Sequence, residues 1–469
     1  MNDVMQRKKT DRLEVVNPYD QKTIGSVPLV GWGQVDQYLD ASQLLFRSRK
    51  QWLPTYTRIK ILNNVASLMA ERAESLAYLI ADEGGKPLMD ARVEVARAID
   101  GVELSVKEIA HMGGREIPMD LTEAGAGRMA FTTREPIGVV VAVSAFNHPL
   151  NLIVHQVVPA IAVGCPVLVK PADDTPLSCQ AFVDILYEAG LPEPWCRFVV
   201  CDTATAEKMV TDPRVGFFTF IGSAKIGWML RAKLAAGTRC ALEHGGAAPV
   251  IIDESADIET VIPSLLKGGF YHSGQVCVSV QRIFAPKKQA ADIAQLLAEG
   301  AEKLVVGNAI DETTECGPLI RPREVDRVAA WVEEAKGDRT KILSGGKKLS
   351  ASTYAPTVLL NPDARAKVST MEIFGPAVCV YDYDDINQAI LRANSLPFSF
   401  QSAVFTKHLD IAMTAIRELD SAAVMVNDHS AFRVDWMPFA GRKQSGYSTG
   451  GIGYTMRDMT EEKMAVIKL

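Results

Sequence analysis

The sequence predicts an α/β fold with two parallel-sheet domains and a small β arm. Three observations predict it. Short β-branched runs alternate with helical stretches from residue 137 to residue 236. A second alternating series follows a glycine break, EHGGAA, near residues 243–248. The chain has 469 residues, of which 48% are hydrophobic and 23% charged, enough for two or three cores and too apolar for wholesale disorder.

The elements follow in order. Over 57–82, Ile61, Val65, Leu68, Leu76 and Leu79 recur near helical spacing, and Gly84-Gly85 ends that helix. Val95, Ile99, Val102 and Ile109 repeat the pattern over 88–111, stopped by Gly113-Gly114. Strands are expected at 137–144, 165–170, 197–201 and 216–222, with helices at 150–163, 175–190 and 224–236. The second series has strands at 249–253, 282–286, 376–383, 402–406 and 422–427, and helices at 287–304, 321–336, 384–394 and 408–419. Residues 115–135 and 455–469 fit neither series. Their alternating segments GRMAFTTRE and MAVIKL suit edge strands that pair with another subunit.

Composition removes several function classes. Fifty Lys and Arg against 56 Asp and Glu give a net charge of −6, so no polybasic surface for nucleic acid or anionic lipid is expected. The start of the chain has no apolar run of secretory type, and a cytoplasmic location is expected. Residues 136–169 carry no Asp, Glu, Lys or Arg, long enough to span a bilayer. Asn147, His148, Asn151, His155, Gln156 and three prolines interrupt the stretch, and in lipid those groups would lack partners. A buried strand, loop, helix and strand is the better reading. The eight cysteines form no C-x-x-C pair, so neither a metal site nor a disulfide framework is expected.

No G-x-G-x-x-G and no G-x-x-x-x-G-K-[ST] occurs in the chain. Gly222-Ser223 in FIGSAKIG does sit between a strand and a helix, where bare N–H groups and the helix dipole favour phosphate. Lys170-Pro171-Ala172-Asp173 follows another strand, at the carboxyl end where such sheets bind ligands. Each alone is more often an ordinary turn. Cys277 in SGQVCVS is one of eight cysteines, and most are buried hydrophobes. Asn147 in AFNHP suits a turn or an oxyanion donor, and Glu243 in LEHGG an ion pair or a general base.

The set is more specific than its members. FNHP, VLVKPA, FIGS, LEHGG, GQVC and EIFGP occur in this order, and the chain resembles the NAD(P)-dependent aldehyde dehydrogenases of the hydrolysing, non-acylating type. The resemblance runs from Asn17-Pro18 to MPFAGRKQSG at 437–446. It implies a Rossmann-like cofactor domain at 10–114 and 136–243, a catalytic domain at 244–435, and an oligomerisation arm at 115–135 and 447–469. It places the nucleophile at Cys277, the general base at Glu243 and the oxyanion donor at Asn147. Cofactor contacts fall at Ser144, Phe146, Lys170, Asp173, Gly222, Ser223, Glu372 and Phe374. A small-molecule aldehyde, NAD or NADP, and a homodimer or homotetramer are the implied partners.

The chemistry accounts for these residue types. A planar carbonyl does not readily release hydride. Attack by a thiolate gives a tetrahedral thiohemiacetal whose oxyanion needs donors. Its oxidation leaves a thioester for water, activated by a base, to hydrolyse. Asp173 suits the 2′-hydroxyl of NAD and repels the 2′-phosphate of NADP, so NAD is favoured.

Four positions depart from the commonest pattern. Phe146 stands where Trp is frequent, His148 where Phe is common and His244 where LELGG has Leu, and VVCDTATA (199–206) replaces a glycine-rich turn. Tyr271 and Val276 occupy places that hold Arg in members acting on anionic substrates, which favours a short polar or aliphatic aldehyde. Arg97, His148 and His155 offer a cationic mouth that points the other way. The alternatives are a CoA-acylating semialdehyde dehydrogenase, which usually lacks the motif glutamate, and a non-enzymatic structural protein retaining the fold.

Overall fold

The computed structural model describes residues 11–469, so the reading of the first ten residues lies outside the described residues. Two parallel sheets dominate. The first has six strands in the order 446–447, 239–243, 215–221, 139–143, 167–170 and 196–198, parallel except for its first. The second has seven, in the order 341–344, 357–360, 377–383, 280–286, 248–252, 401–405 and 423–426; only the outermost pair is antiparallel.

Helices cover both faces of each sheet, as buried parallel strands require. Against one face of the first lie Thr55–Glu71, Leu88–Ile109, Asn151–Val163 and Pro176–Glu188; Trp32–Arg47 and Thr203–Val210 cover the other. The uncharged stretch resolves as expected: strands Val139–Val143 and Val167–Lys170 flank a helix, Asn151–Val163, that is buried at every residue. Among the described residues no helix is long and apolar enough to cross a membrane.

The structure corrects several boundaries. The helix expected over 57–82 is two, Thr55–Glu71 and Ala73–Gly84, because Arg72 takes φ −109° and ψ 14° and turns the chain there. The helix over 224–236 ends at Arg231. Residues 446–469 divide three ways. Gly446–Tyr447 joins the six-stranded sheet, Ile452–Asp458 is a helix, and only Thr460–Lys468 pairs with Arg128–Pro136 in a three-stranded antiparallel sheet. The hairpin Arg12–Val16/Thr23–Pro28, the strands Lys341–Ser344 and Thr357–Leu360 and the helix Ile258–Phe270 gave no clear sequence signal.

The passage between the two sheets is short. Strand Arg239–Glu243 of the first is separated by four residues from Ala248–Ile252 of the second. A buried guanidinium anchors it: Arg282 donates to the carbonyls of Ala247 (3.0 Å), Arg392 (3.1 Å) and Ala393 (2.9 Å). Glu243 and His244 are thereby held at the junction.

Candidate active site

One cavity of about 710 Å³ is lined by residues that follow strands of both sheets, among them Ser144, Asn147, Gly222, Glu243, Cys277, Glu372 and Arg433. Its floor is built from three turns.

The first turn carries Asn147. The chain leaves Val139–Val143 and enters the helix Asn151–Val163, and Asn147 lies buried between them. That helix start is capped from below. Glu94 accepts the N–H groups of Leu150 (2.9 Å) and Asn151 (3.0 Å), and its other oxygen pairs with Lys86; both side chains are fully buried. A carboxylate at a helix N-terminus satisfies orphan donors and meets the positive end of the dipole. From above, the Asn147 amide donates to the Gln275 carbonyl at 2.9 Å, joining its turn to the segment that carries Cys277.

The second turn carries Cys277. After the helix Ile258–Phe270, His272 (φ 46°) and Ser273 (φ 55°) both take left-handed backbone, which non-glycine residues rarely occupy. Such strain persists only where the surroundings impose it. Here the Ser273 hydroxyl donates to the Gly317 carbonyl at 2.6 Å, and Gln275 accepts the Ile320 N–H at 3.0 Å. Cys277 emerges as the half-buried member of eight free cysteines; the other seven are buried.

The third turn carries Glu372 and Phe374. Phe374 also has left-handed backbone (φ 46°), which sets its ring edge-on to Phe146 with centroids 5.8 Å apart. The Glu372 carboxylate accepts the Gly246 N–H at 3.1 Å. Gly245 permits this approach, since a Cβ there would lie 1.6 Å from the carboxylate oxygen. Gly450 does the same for Glu243, at 2.1 Å.

Burial governs the charges. It pushes the Cys277 thiol up to about 12; the Arg433 guanidinium opposes this, while Glu372 and Glu243 reinforce it. It raises Glu243, again against the pull of Arg433, and lifts Glu372 to about 8.

The other predicted residues lie as follows. Gly222-Ser223 join the strand Val215–Ile221 to the helix Ala224–Arg231. Lys170 donates to Asp173 at 2.7 Å, and Asp173 is half exposed. Ser144 lines the cavity with a buried hydroxyl that has no protein partner. His148 is half-buried beside Tyr271, whose hydroxyl is 3.4 Å from its ring nitrogen, and burial keeps it neutral. Arg97 forms a two-point contact with Asp435 at 2.8 and 3.0 Å. His155 is no mouth residue: it lies buried behind Asp435, which it meets at 2.8 Å.

Arg433 escaped the sequence reading. Its guanidinium lies 3.6 Å from the Phe439 ring centre and 3.4 Å from His155. Among the described residues no carboxylate is within ion-pair distance of it, and its Nε has no partner. The signal lay in FRVD, a charged pair inside an apolar tail.

The fold and this gathering of Cys, Glu and Asn around one cavity at the junction of two parallel sheets fit an aldehyde-oxidising enzyme. The aldehyde dehydrogenase family model matches residues 5–465, and the chain belongs to that family. It is 36% identical over 461 residues to the 3-sulfolactaldehyde dehydrogenase of Priestia megaterium, covering 98% of this chain and 95% of that one. Aldehyde dehydrogenase 21 of Physcomitrella patens, solved with the reaction product succinate, superposes with TM-score 0.94 at 34% identity, over 98% of this chain and 95% of that one. Glyceraldehyde-3-phosphate dehydrogenase of Methanocaldococcus jannaschii, solved with NADP, gives 0.93 at 32% identity, over 98% and 100%.

Proposed function

We propose that the chain oxidises a small aldehyde bearing an anionic group to the carboxylic acid, with NAD(P)+ as acceptor. The observation that supports the anionic group is Arg433, a guanidinium in the cavity with Cys277 and without a carboxylate of its own. Burying a charge unpaired is costly, so the site favours a ligand that supplies the partner. Arg97 lines the same cavity, but Asp435 already balances its charge, which leaves Arg433 as the cation a ligand would pair. This charge outweighs the argument against an anionic substrate drawn from Tyr271 and Val276, and a small polar aldehyde remains the class of substrate. The sulfonate of 3-sulfolactaldehyde, named for the Priestia relative, and the carboxylates of the succinate bound in the Physcomitrella structure fit the same chemistry.

Cys277 attacks the aldehyde carbon, and the Asn147 amide is the donor for the oxyanion that forms. Loss of one such donor costs about 3–4 kcal/mol in related chemistry. The thiol gives its proton to solvent as Arg433 favours the thiolate, and Glu243, whose basicity burial raises, later receives a proton from the water that releases the acid. Glu243 favours water over CoA as the thioester acceptor. The cavity fits a dinucleotide by its donor set: the unpartnered Ser144 hydroxyl, the Glu372 carboxylate with one backbone donor, and Gly222-Ser223 at a helix start for phosphate. Lys170 and Asp173, paired with each other at the end of a neighbouring strand and outside the lining, would meet the ribose. Bound there, NAD(P)+ supplies the hydride acceptor. Phe146 and Phe374 wall its place, and Asp173 favours NAD over NADP. The halves at 11–114 with 136–243 and 244–435 act as cofactor and catalytic domains. The sheet of 128–136 with 460–468 pairs subunits into a homo-oligomer, in the cytoplasm.

A panel of aldehydes with and without carboxylate or sulfonate groups, assayed with NAD and NADP by absorbance of the reduced cofactor, tests this. Anionic aldehydes are expected to give the highest kcat/KM, and Cys277→Ser to abolish turnover. Turnover of none, or a mutant equal to wild type, overturns the reading.

A further inference from the structure

We propose that His244 is a positioning residue that sets the phosphate-binding turn, a task this chain gives to a hydrogen bond where the usual motif has an apolar leucine. The inference rests on the reading of the cavity as a dinucleotide site.

His244 is the first residue beyond the strand Arg239–Glu243, and it is buried. Its ring lies between Phe220 and Trp228, with centroids 5.8 and 5.9 Å away. It covers Gly227 in the helix Ala224–Arg231 so closely that a Cβ there would fall 2.0 Å from the ring. Packing therefore fixes the ring, and one polar contact uses it. Nδ1 lies 2.9 Å from the Gly222 carbonyl oxygen. That oxygen only accepts, so Nδ1 carries the proton. Nε2 is left buried and without a protein partner.

The consequence follows from peptide geometry. The Gly222 carbonyl and the Ser223 N–H share one planar unit and point in opposite directions. Anchoring the oxygen on His244 turns the Ser223 N–H away from the ring. The same two-residue segment holds Gly222 at its other end, since the Gly222 N–H donates to the Glu243 carbonyl at 3.0 Å. Glu243 and His244 thus grip one glycine by both its backbone groups. The residue that activates water and the turn that receives phosphate are joined by a rigid contact. Leucine would fill the same space and would not leave a buried nitrogen unpartnered, so the imidazole is retained at a cost in stability.

The test measures NAD+ dissociation by tryptophan fluorescence quenching, with thermal midpoints, for wild type, His244→Leu, His244→Asn and Gly227→Ala. Asn keeps an N–H near the place of Nδ1; Leu keeps only the bulk. His244→Leu is expected to weaken NAD+ binding roughly five- to tenfold while its midpoint equals or exceeds that of wild type. His244→Asn restores affinity to within about twofold, and Gly227→Ala, which displaces the ring, weakens it. Unchanged affinity in His244→Leu overturns the proposal, as does equal weakening in Leu and Asn. If wild type binds no dinucleotide, the reading of the cavity fails instead. If it binds and only the His244 comparison is flat, that reading stands without this one.

Discussion

At the scale of residues, the site separates into groups that announce themselves and groups that do not. Cys277, Glu243 and Asn147 were legible because each sits in a short motif whose neighbours are also constrained: glycine before the cysteine segment, glycines after the glutamate, proline after the asparagine. Arg433 was not, because an arginine 156 positions after Cys277 gains meaning only when the fold brings them together. Its charge makes the sharpest prediction. Arg433→Gln removes a charged partner worth about 1.5–3 kcal/mol, so kcat/KM for a carboxylate- or sulfonate-bearing aldehyde is expected to fall roughly 10- to 150-fold, with much less change for a neutral aldehyde of equal length. Arg433 also favours the thiolate, so the neutral aldehyde loses something too; losses of equal size on both substrates sink the assignment. The pH response follows from burial. With its pKa raised to about 12, the Cys277 thiol is protonated at neutral pH in the free enzyme. Alkylation by iodoacetamide should therefore speed up with pH by about tenfold per unit across the neutral and mildly alkaline range. Glu243→Gln removes a carboxylate that reinforces the shift, and Arg433→Gln a cation that opposes it. The first is expected to raise the labelling rate at a given pH and the second to lower it, read by mass spectrometry of the Cys277 peptide.

At the scale of elements, the alternation of β-branched and helical runs revealed most of both parallel sheets, since strands buried on two faces must be apolar throughout. It failed where elements are short or edge-placed, as at Lys341–Ser344, and where one long helical pattern bends, as at Arg72. It also said nothing of what holds the ends of elements in place. The helix Asn151–Val163 has no side-chain cap of its own; Glu94, from the helix Leu88–Ile109, supplies it and is balanced by Lys86. Glu94→Ala strips two helix donors of their acceptor and leaves the Lys86 ammonium buried alone. A loss of about 3–5 kcal/mol in urea denaturation is expected. Because the same helix start fixes the turn of Asn147, kcat should drop as well, under conditions where the protein remains folded. A stability change below about 1 kcal/mol would mean that the pair is solvated and the cap unimportant.

At the scale of the whole molecule, the two large sheets share one cavity lined by the turns that follow their strands and bury their own apolar surface, whereas the third sheet does not. Thr460–Lys468 pairs along its full length with Arg128–Pro136, in a register that sets Ala465 opposite Phe131 and Ile467 opposite Met129. Residues directly opposite in an antiparallel pair share a face. Phe131, Met129 and Ile467 therefore form one apolar patch, and all three are exposed in the single chain. The alternation in GRMAFTTRE and MAVIKL marks strands that need an edge to pair with, and the fold brings the two edges together. What remains unsatisfied is a face rather than an edge, and a second copy of the chain is the partner that the proposed oligomer supplies. Phe131→Glu combined with Ile467→Glu places two like charges on that face without touching the cavity. Sedimentation velocity is expected to show the wild type as an oligomer and the double variant shifted to monomer, with its far-ultraviolet circular dichroism unchanged. A wild type that sediments as a monomer would refute the assignment of the sheet to assembly, and so would a folded double variant that keeps the wild-type mass.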